Sequence, residues 1–290
     1  MKKILITGAN SYVGTSFAKW VNQWPDKYKV DMLSVRGEAW KGKNFSYYDV
    51  IYHVAGIAHV DIKNVDKKTE NLYYMINRDL TIEIAKKAKL EGVKQFIFMS
   101  SIIVYGDCNP VGTKKIITNK TEPNPSNFYG DSKLQAENGL KLLQSDKFKI
   151  VILRSPMIYG KDSKGNYLRL SNIAKLLPVF PDIDNERSMI FILNLCEFVR
   201  NIIDYNKSGI FFPQNKEYVK VSMMVKEISK VNGKKMKLTK IFNPLIIRLS
   251  FNSNFIKKVF GNLVYERNES QSLLEKNFYE YKETIKMSER

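Results

Sequence analysis

The stretch KKILITGANSYVGTSFAKWV, residues 2–21, decides the fold. Its first six residues, 2–7, contain the apolar run Ile4-Leu5-Ile6, which is typical of a buried strand. Two glycines, Gly8 and Gly14, then lead into a segment whose apolar residues have helical spacing. A strand, a glycine turn and a helix in this order predict a dinucleotide site, because the helix N-terminus offers free N–H groups to a pyrophosphate. An ordinary strand-to-helix corner is the alternative. We expect the cofactor contacts to come from Gly8, Asn10, Ser11, Tyr12, Val13 and Gly14.

Alternating apolar and amphipathic segments continue through the first half of the chain. Strands are predicted near residues 28–35, 49–56, 94–99 and 148–154, with a long helix over 66–91 and another that carries Tyr129 and Lys133. This alternation predicts an α/β fold with a doubly wound parallel sheet. We expect a cofactor-binding domain over 1–160 and a smaller, mixed α/β substrate lobe over 161–290. The strand and helix near 186–205 could return to the core.

The end of the second predicted strand bears on cofactor choice. In dinucleotide sites an acidic residue at this point binds the 2′-hydroxyl of NAD, whereas an arginine accommodates the 2′-phosphate of NADP. The residues here are Ser34, Val35 and Arg36, with no carboxylate among them. The sequence therefore favours NADP(H) and Arg36 as a contact. Because Glu38 lies close by, NAD(H) stays open.

Small and hydroxylated residues follow the third and fourth strands. Ala55 and Gly56 leave room for a cofactor, and Ser101 ends the fourth strand at the crevice of such a sheet. Tyr129 and Lys133 are one helical turn apart, so we expect the ammonium to lower the pKa of the phenol from its usual value of about 10. A tyrosine of this kind exchanges protons with a substrate hydroxyl or carbonyl near neutral pH. Taken alone, the pair could equally be a solvated helix with an incidental lysine.

The chain carries a net charge of +18, spread over its length. Such a charge attracts polyanions, but the spread favours a solvated surface, and we expect no nucleic-acid partner. Residues 240–261 are both apolar and basic, which allows weak association with an anionic membrane surface; a helical substrate lobe or a subunit interface is the favoured alternative. No stretch is long enough for a signal peptide or a membrane span, so a cytoplasmic protein is expected.

The metal-binding residue types are scarce. Cys108 and Cys196 lack metal-site or CxxC spacing, and His53 and His59 are the two histidines. We therefore expect no metal site. His53 lies within a predicted strand and is interpreted as a packed residue rather than a catalyst.

These features together resemble the extended short-chain dehydrogenase/reductase superfamily, in its nucleotide-sugar epimerase/dehydratase branch. The resemblance covers about residues 1–230 and rests on motifs in family order: Thr7-Gly8…Gly14, His53–Gly56, Asn77, Ser100-Ser101…Tyr105-Gly106, Tyr129…Lys133 and Leu153-Arg154…Tyr159-Gly160. It implies a Rossmann core that binds NAD(P), a lobe that binds a nucleotide-diphosphate sugar, and a homodimer. It also implies roles for single residues. Tyr129 would act as the general acid/base, and Ser101 would form a hydrogen bond to the same substrate oxygen. Lys133 would hold the nicotinamide ribose, Asn77 would support the site from the neighbouring helix, and Arg187 would contact the diphosphate.

The chain departs from this family pattern at four points. Ser11 stands where the middle glycine of the turn is usual, and Met157 replaces an asparagine that touches the sugar nucleotide in many epimerases. Ile102 and Ile103 replace the acidic pair of the 4,6-dehydratases, which disfavours loss of water because no carboxyl group is available to protonate the leaving hydroxyl. No cysteine or histidine lies near the serine motif, which disfavours 3,5-epimerase/reductase chemistry.

Two reactions at C4 of a UDP-(N-acetyl)hexose survive these exclusions. The favoured one is reduction of a 4-keto sugar by NADPH with Tyr129 as proton donor, because of Arg36. The alternative is NAD-dependent 4-epimerisation, which uses the same three residues. A non-catalytic NADP(H)-sensing protein is the third hypothesis, since one fold hosts more than one function.

Overall fold

The computed structural model describes residues 1–58, 65–267 and 278–290. Its strands, in chain order, are β1 Lys2–Thr7, β2 Tyr28–Leu33, β3 Val50–His53, β4 Gln95–Ser101, β5 Ile116–Ile117, β6 Lys149–Ser155, β7 Met157–Tyr159, β8 Val179–Pro181, β9 Met189–Phe191, β10 Gly209–Phe211, β11 Lys237–Thr239 and β12 Val264–Tyr265.

The α-helices in the same order are α1 Tyr12–Val21, α2 Lys67–Tyr73, α3 Leu80–Leu90, α4 Phe128–Lys141, α5 Asn166–Leu176, α6 Ile192–Asp204, α7 Val221–Val231, α8 Asn243–Ser250, α9 Asn254–Phe260 and α10 Tyr281–Glu289. A π-helical segment, Tyr74–Asp79, joins α2 to α3. Short 3₁₀ helices cover Ala39–Gly42 and Ile102–Tyr105.

The chain folds into two compact units, each built from separate stretches. The first unit comprises residues 1–106, 123–155 and 196–213. It contains a six-stranded parallel sheet in the order β10-β6-β4-β3-β1-β2. From β1 the chain first continues to β2 on one side and then crosses to β3 on the other, so the order of the strands reverses between the neighbours β1 and β3. At such a point α/β sheets of this type open a ligand crevice at the carboxyl ends of their strands.

Both faces of this sheet are covered, which is why its central strands are apolar throughout. One face packs against α3 and α4 through alternate strand residues such as Leu5, Phe96 and Ile152. On the other face, the rings of Phe17 from α1 and Tyr52 from β3 meet edge to face, with centroids 5.2 Å apart. The sheet is therefore doubly wound, as the alternation of the sequence predicts.

The second unit comprises residues 107–122, 156–195 and 214–290. It contains three two-stranded parallel pairs, β7 with β9, β8 with β11, and β5 with β12. Helix α7 buries an apolar stripe that includes Met224, Val225 and Ile228. The carboxylate of Glu289 on α10 accepts hydrogen bonds from Tyr167, Ser171 and Asn232, which ties α10 to α5 and to the end of α7.

The structure differs from the predicted organisation in three respects. The long helix predicted over 66–91 is interrupted by the π-helical segment, which turns Asn77 into the core of the first unit. The stretch between the predicted strand 94–99 and the helix of Tyr129, for which no strand is predicted, contains β5. In place of one division at residue 160, residues 107–122 lie in the second unit. Residues 196–213 lie in the first, and they include part of the segment near 186–205 whose return to the core was left open.

Candidate active site

The glycine turn after β1 has the geometry that a close ligand approach requires. Gly8 has φ +110°, and a Cβ added there would lie 2.8 Å from the backbone nitrogen of Ala55. A Cβ on Gly14 would lie 2.9 Å from the side chain of Ile6, so glycine is needed for α1 to pack against β1. The turn therefore brings the end of β1, the start of α1 and the residues after β3 to one place.

Ser11, the departure from the family turn, is the N-cap of α1. Its Oγ accepts a hydrogen bond from the backbone N–H of Gly14 at 3.0 Å, and its φ of −76° needs no glycine. A side-chain cap of this kind typically stabilises a helix by about 1 kcal/mol. The serine thus fits the turn and satisfies one of the N–H groups that a helix start leaves unpaired.

Arg36 lies just past the end of β2, beside the same turn. The backbone N–H of Gly8 donates to the carbonyl of Leu33 at 2.9 Å, so the chain leaves β2 next to the glycine turn. The side chain of Arg36 is exposed, and the carboxylate of Glu38 lies 2.5 Å from Lys41 Nζ. After β2 the structure thus has the exposed guanidinium of Arg36, whereas the carboxylate of Glu38 is paired with Lys41.

Lys133 lies at the centre of the candidate site. Its Nζ donates to the carbonyl of Met99 at 3.0 Å. A Cβ added to Gly56 would lie 3.1 Å from this Nζ and 3.0 Å from Asn77 Oδ1. Asn77 is held in turn by the backbone of Ile57, whose N–H donates to Oδ1 at 2.8 Å and whose carbonyl accepts from Nδ2 at 3.1 Å. The structure brings the predicted residues Gly56, Asn77 and Lys133 together.

Tyr129 and Ser101 form the second half of the site. The two side chains share a hydrogen bond, and Ser101 also accepts from the N–H of Ile103 at 3.4 Å as the N-cap of the 3₁₀ helix. The ring of Tyr129 packs edge to face against Tyr73, with centroids 6.0 Å apart. Two hydroxyls placed side by side can contact one substrate oxygen and exchange a proton with it.

The electrostatics of the pair differ from the prediction. Burial raises the pKa of Tyr129 above its usual value, and the hydrogen bond from Ser101 acts in the opposite direction without reversing the shift. Burial also lowers the pKa of Lys133 to about 8, against a smaller effect of Glu137, which raises it. The expectation that Lys133 gives Tyr129 a lowered pKa is therefore not met in this protein without ligand, because desolvation dominates.

A buried ion pair that the sequence reasoning missed lies behind the site. Arg154 Nη2 lies 2.6 Å from Glu137 Oε2, and the two side chains are 4% and 0% exposed. Ser100 donates to Glu137 Oε1 at 2.5 Å, and Arg154 Nη1 donates to the Tyr105 hydroxyl at 2.5 Å. The pair joins β4, β6 and α4, the elements that carry Ser101, Tyr129 and Lys133. The signal in the sequence was a glutamate one helical turn after Lys133.

His53 is a packed residue, as its place in the strand suggested. Thr81 donates its hydroxyl to the carbonyl of Asn77 at 2.8 Å, so it accepts from His53 Nε2 at 3.0 Å. Nδ1 is then the acceptor for the hydroxyl of Thr7 at 2.7 Å. Burial lowers the pKa of His53 to about 3, so the ring is neutral at physiological pH and acts as a structural link between β1, β3 and α3.

The remaining predicted residues belong to the second unit or form no cluster. Arg187 is in the second unit, where its backbone N–H donates to Val219 and its guanidinium donates to the carbonyl of Lys258. Cys108 and Cys196 are buried free thiols. Within 1–58, 65–267 and 278–290, no three histidine, cysteine, aspartate or glutamate side chains are grouped as metal ligands would be. His59 lies outside the described residues.

The residues present fit a nicotinamide dinucleotide. The turn at Gly8 is a place where a side chain has no room, and the adjacent start of α1 suits a pyrophosphate. Gly56 is exposed and has the Lys133 ammonium and the Asn77 amide oxygen against it, so polar groups on the sugar side of such a cofactor would meet a donor and an acceptor there. Gly8, Gly14, Gly56, Asn77 and Lys133 would hold it, with Arg36 next to the turn.

Comparison with known proteins identifies the family of the chain. Residues 4–211 match the model of the NAD dependent epimerase/dehydratase family. A UDP-glucose 4-epimerase of Vibrio cholerae is 32% identical over 252 residues, which cover 79% of this chain and 75% of that protein. An N-acetyl-α-D-glucosaminyl-diphospho-ditrans,octacis-undecaprenol 4-epimerase of Escherichia coli O157:H7 is 27% identical over 68% of this chain and 60% of its own length.

Solved structures share the fold. A UDP-glucuronic acid 4-epimerase of Bacillus cereus in complex with NAD superposes with a TM-score of 0.75 at 18% identity, over 99% of this chain and 95% of that one. A dTDP-4-dehydrorhamnose reductase of Bacillus anthracis in complex with NADP gives a TM-score of 0.73 at 19% identity, over 99% of both chains. At these identities the likeness concerns the Rossmann-type α/β fold alone, and it includes both an NAD and an NADP complex.

Proposed function

The chain belongs to the NAD-dependent epimerase/dehydratase family, and from this premise we propose that it is a UDP-sugar 4-epimerase acting on a UDP-hexose or UDP-N-acetylhexose. Two observations carry the proposal: Ser101 and Tyr129 share a hydrogen bond, and the Lys133 ammonium, one helical turn further along α4, lies against Gly56. The similarity to the Vibrio UDP-glucose 4-epimerase supports epimerisation over the reduction that the sequence alone favoured.

The three residues divide the work as follows. Ser101 and Tyr129 bind the C4 oxygen of the sugar, and Tyr129 removes or returns its proton. Lys133, held by the Met99 carbonyl, keeps a positive charge near the cofactor ribose and the phenol below pH 8. A bound nicotinamide cofactor supplies hydride transfer at C4. Buried Glu137 and Arg154 fix the strand and helix that carry these groups.

Reduction of a 4-keto sugar by NADPH is the second candidate. It is favoured by the exposed guanidinium of Arg36 beside the turn and by the absence of a carboxylate among residues 34–36. The cofactor separates the two reactions, because an epimerase retains its cofactor through the cycle whereas a reductase must release the oxidised form and take up a reduced one.

The test begins with the purified protein as isolated. Denaturation followed by chromatography identifies any bound nucleotide. The native protein is then incubated with UDP-glucose and with UDP-N-acetylglucosamine, without added cofactor, and the C4 epimers are separated by anion-exchange chromatography. We expect retained NAD(H) and conversion of at least one of the two sugars. Turnover that requires added NADPH and a 4-keto substrate would replace the epimerase by the reductase.

Tyr129→Phe provides the control for chemistry. It should abolish turnover while cofactor affinity stays close to native, because the hydroxyl exchanges the proton whereas the ring packing against Tyr73 is kept. Tyr205→Phe, at a residue 65% exposed, is the matched variant and should leave turnover unchanged. A native protein that binds cofactor but converts no sugar under any of these conditions would contradict both reactions and favour the non-catalytic sensor.

A further inference from the structure

The second unit presents an unusual apolar surface around α8. Six large apolar residues within eleven positions have exposed fractions between 40% and 82%. We call them the α8 surface: Ile241, Phe242, Leu245, Ile247, Leu249 and Phe251. Single exposed apolar residues are ordinary on a soluble protein. A group of this size within one short segment indicates a surface that binds a partner molecule or a membrane.

Polar contacts fix which side of α8 faces the protein. Asn243 Nδ2 donates to the carbonyl of Asp182 at 2.9 Å. Ser250 is fully buried, and its Oγ accepts from the backbone N–H of Val111 at 3.1 Å. The side chains that anchor the helix are thus polar, while leucine and isoleucine point outward. This differs from an amphipathic helix that packs its whole apolar stripe on a core, because the side chains of Leu245, Ile247 and Leu249 are each at least 40% exposed.

The charge of the chain segment that carries the surface indicates what covers it. No aspartate or glutamate occurs between Glu227 and Glu266, whereas this stretch contains eight basic residues. They are Lys230, Lys234, Lys235, Lys237, Lys240, Arg248, Lys257 and Lys258. Lys240 immediately precedes the α8 surface in the sequence, Arg248 lies within it between Ile247 and Leu249, and both are exposed. In space, the carboxylate of Asp182 also lies near Lys240.

A second copy of the chain fits this charge poorly. In a two-fold symmetric contact the same patch meets itself, so the acid-free stretch would face another acid-free stretch. Like-charge juxtaposition of this kind opposes association. A partner with an apolar interior beneath a negatively charged surface would match both the exposed apolar side chains and the basic residues. An anionic lipid bilayer has this arrangement.

We propose that the α8 surface lies in the interface of an anionic lipid bilayer, with its apolar side chains among the acyl chains and Lys240 and Arg248 at the lipid phosphates. Within the described residues no helix has the length and apolar character needed to cross a membrane. The attachment is therefore of the kind that lies on the surface, where apolar burial and attraction to anionic lipid act together. The net charge of +18 adds long-range attraction to such a surface.

The test measures sedimentation of the full chain with phosphatidylcholine vesicles, with and without about 30 mol% phosphatidylglycerol. We expect binding to the anionic vesicles that weakens in about 0.5 M NaCl, because salt screens the lysines. Leu245→Gln/Leu249→Gln should weaken binding at least about tenfold, since two apolar side chains lose their place in the acyl region. Lys240→Gln/Arg248→Gln should weaken it about 25-fold, at about fivefold for each charge.

Matched variants outside the surface give the controls. Leu90 and Leu142 are each 86% exposed, so Leu90→Gln/Leu142→Gln makes the same chemical change at sites in the first unit. Lys86→Gln/Lys147→Gln removes two exposed charges there. Neither pair should change vesicle binding by more than about twofold. Circular dichroism checks that each variant is folded.

Three results would overturn the proposal. The native chain could fail to bind phosphatidylglycerol vesicles at low salt. The control leucine pair could reduce binding as much as the α8 pair does. Finally, light scattering could show a dimer of the native chain that Leu245→Gln/Leu249→Gln dissociates, without any vesicle binding, and this outcome would assign the surface to a second copy of the chain. Each readout is independent of enzymatic activity.

Discussion

Arg154 and Glu137 offer the sharpest test of how the candidate site is held. The perturbation is Arg154→Met, which keeps much of the side-chain volume and removes the charge. In the native structure Arg154 Nε also donates to both carboxylate oxygens of Glu137, at 3.2 and 3.1 Å. The variant leaves the Glu137 carboxylate, a side chain with 0% exposure, without its counterion.

The expected cost follows from this burial. Removing one partner of a buried ion pair typically costs about 3–5 kcal/mol, because an uncompensated charge stays in a medium of low polarity. For a domain of roughly 150–250 residues each kcal/mol lowers Tm by about 2–4 °C. We therefore expect a fall in Tm of at least about 6 °C. The hydrogen bond from Ser100 to Glu137 offsets only a part of the loss.

A double-mutant cycle in differential scanning calorimetry measures the coupling. Glu137→Gln keeps an oxygen that accepts from Ser100 and should cost about as much as Arg154→Met. The double variant buries no charge, so it should be more stable than the sum of the single losses predicts, with an interaction energy of at least about 1 kcal/mol. Glu38→Gln, in the exposed pair with Lys41, is the control and should leave Tm unchanged.

Two outcomes would refute this reasoning. If Arg154→Met lowers the stability by less than about 1 kcal/mol, the carboxylate is not confined as the structure indicates. If the effects of the two single variants simply add, the residues do not act as a pair.

Three further predictions concern single residues near the site. The pKa of His53 is about 3 in the folded state and ordinarily 6.5, so between these values the unfolded state binds more protons. Urea melts should therefore show the free energy of unfolding falling by about 1.4 kcal/mol for each unit by which the pH is lowered from 6.5 towards 3. His53→Asn should lack this contribution. The pKa of Lys133 is about 8 in the folded state and ordinarily 10.5, so between these values the unfolded state again binds more protons. The free energy of unfolding of the cofactor-free protein should therefore rise by a similar amount for each pH unit from 8 to 10.5, and Lys133→Met should lack this rise. Gly56→Ala should weaken cofactor binding in titration calorimetry, because its Cβ would lie 3.1 Å from Lys133 Nζ, whereas Gly42→Ala, with nothing within 4 Å, should not. Equal effects of the two glycine variants would contradict the assignment of Gly56.

The central sheet could be predicted from the sequence because its strands are buried on both faces. Such strands appear as short continuous apolar runs, and β1 occupies the predicted residues 2–7. The predicted strands over 94–99 and 148–154 lie next to each other as β4 and β6. Glycine was equally informative at Gly8, since a positive φ and a close backbone neighbour leave no alternative residue.

The features that the sequence did not predict depend on contacts between distant residues. Sequence periodicity does not distinguish a π-helical segment from the α-helices around it, so the π-helical segment at residues 74–79 was not predicted. Each of the two units consists of separate stretches of the chain. The alternation of strands and helices in the sequence does not show which stretch belongs to which unit. The role of Ser11 as a cap required knowledge of which N–H group faces its Oγ.

The pKa shifts of Tyr129 and Lys133 follow from desolvation, which sequence spacing does not reveal. Spacing places an ammonium one helical turn from the phenol, and this favours the phenolate. Burial acts on both groups at once, raising the pKa of Tyr129 and lowering that of Lys133, because it penalises the charged form of each. As pH rises in the site without ligand, Lys133 therefore loses its proton before Tyr129 does. A neutral phenol beside an ammonium is the state near pH 7, and it is ready to donate a proton to a substrate oxygen. For Tyr129 to accept a proton at that pH, a bound molecule must bring further positive charge or further hydrogen-bond donors to its oxygen.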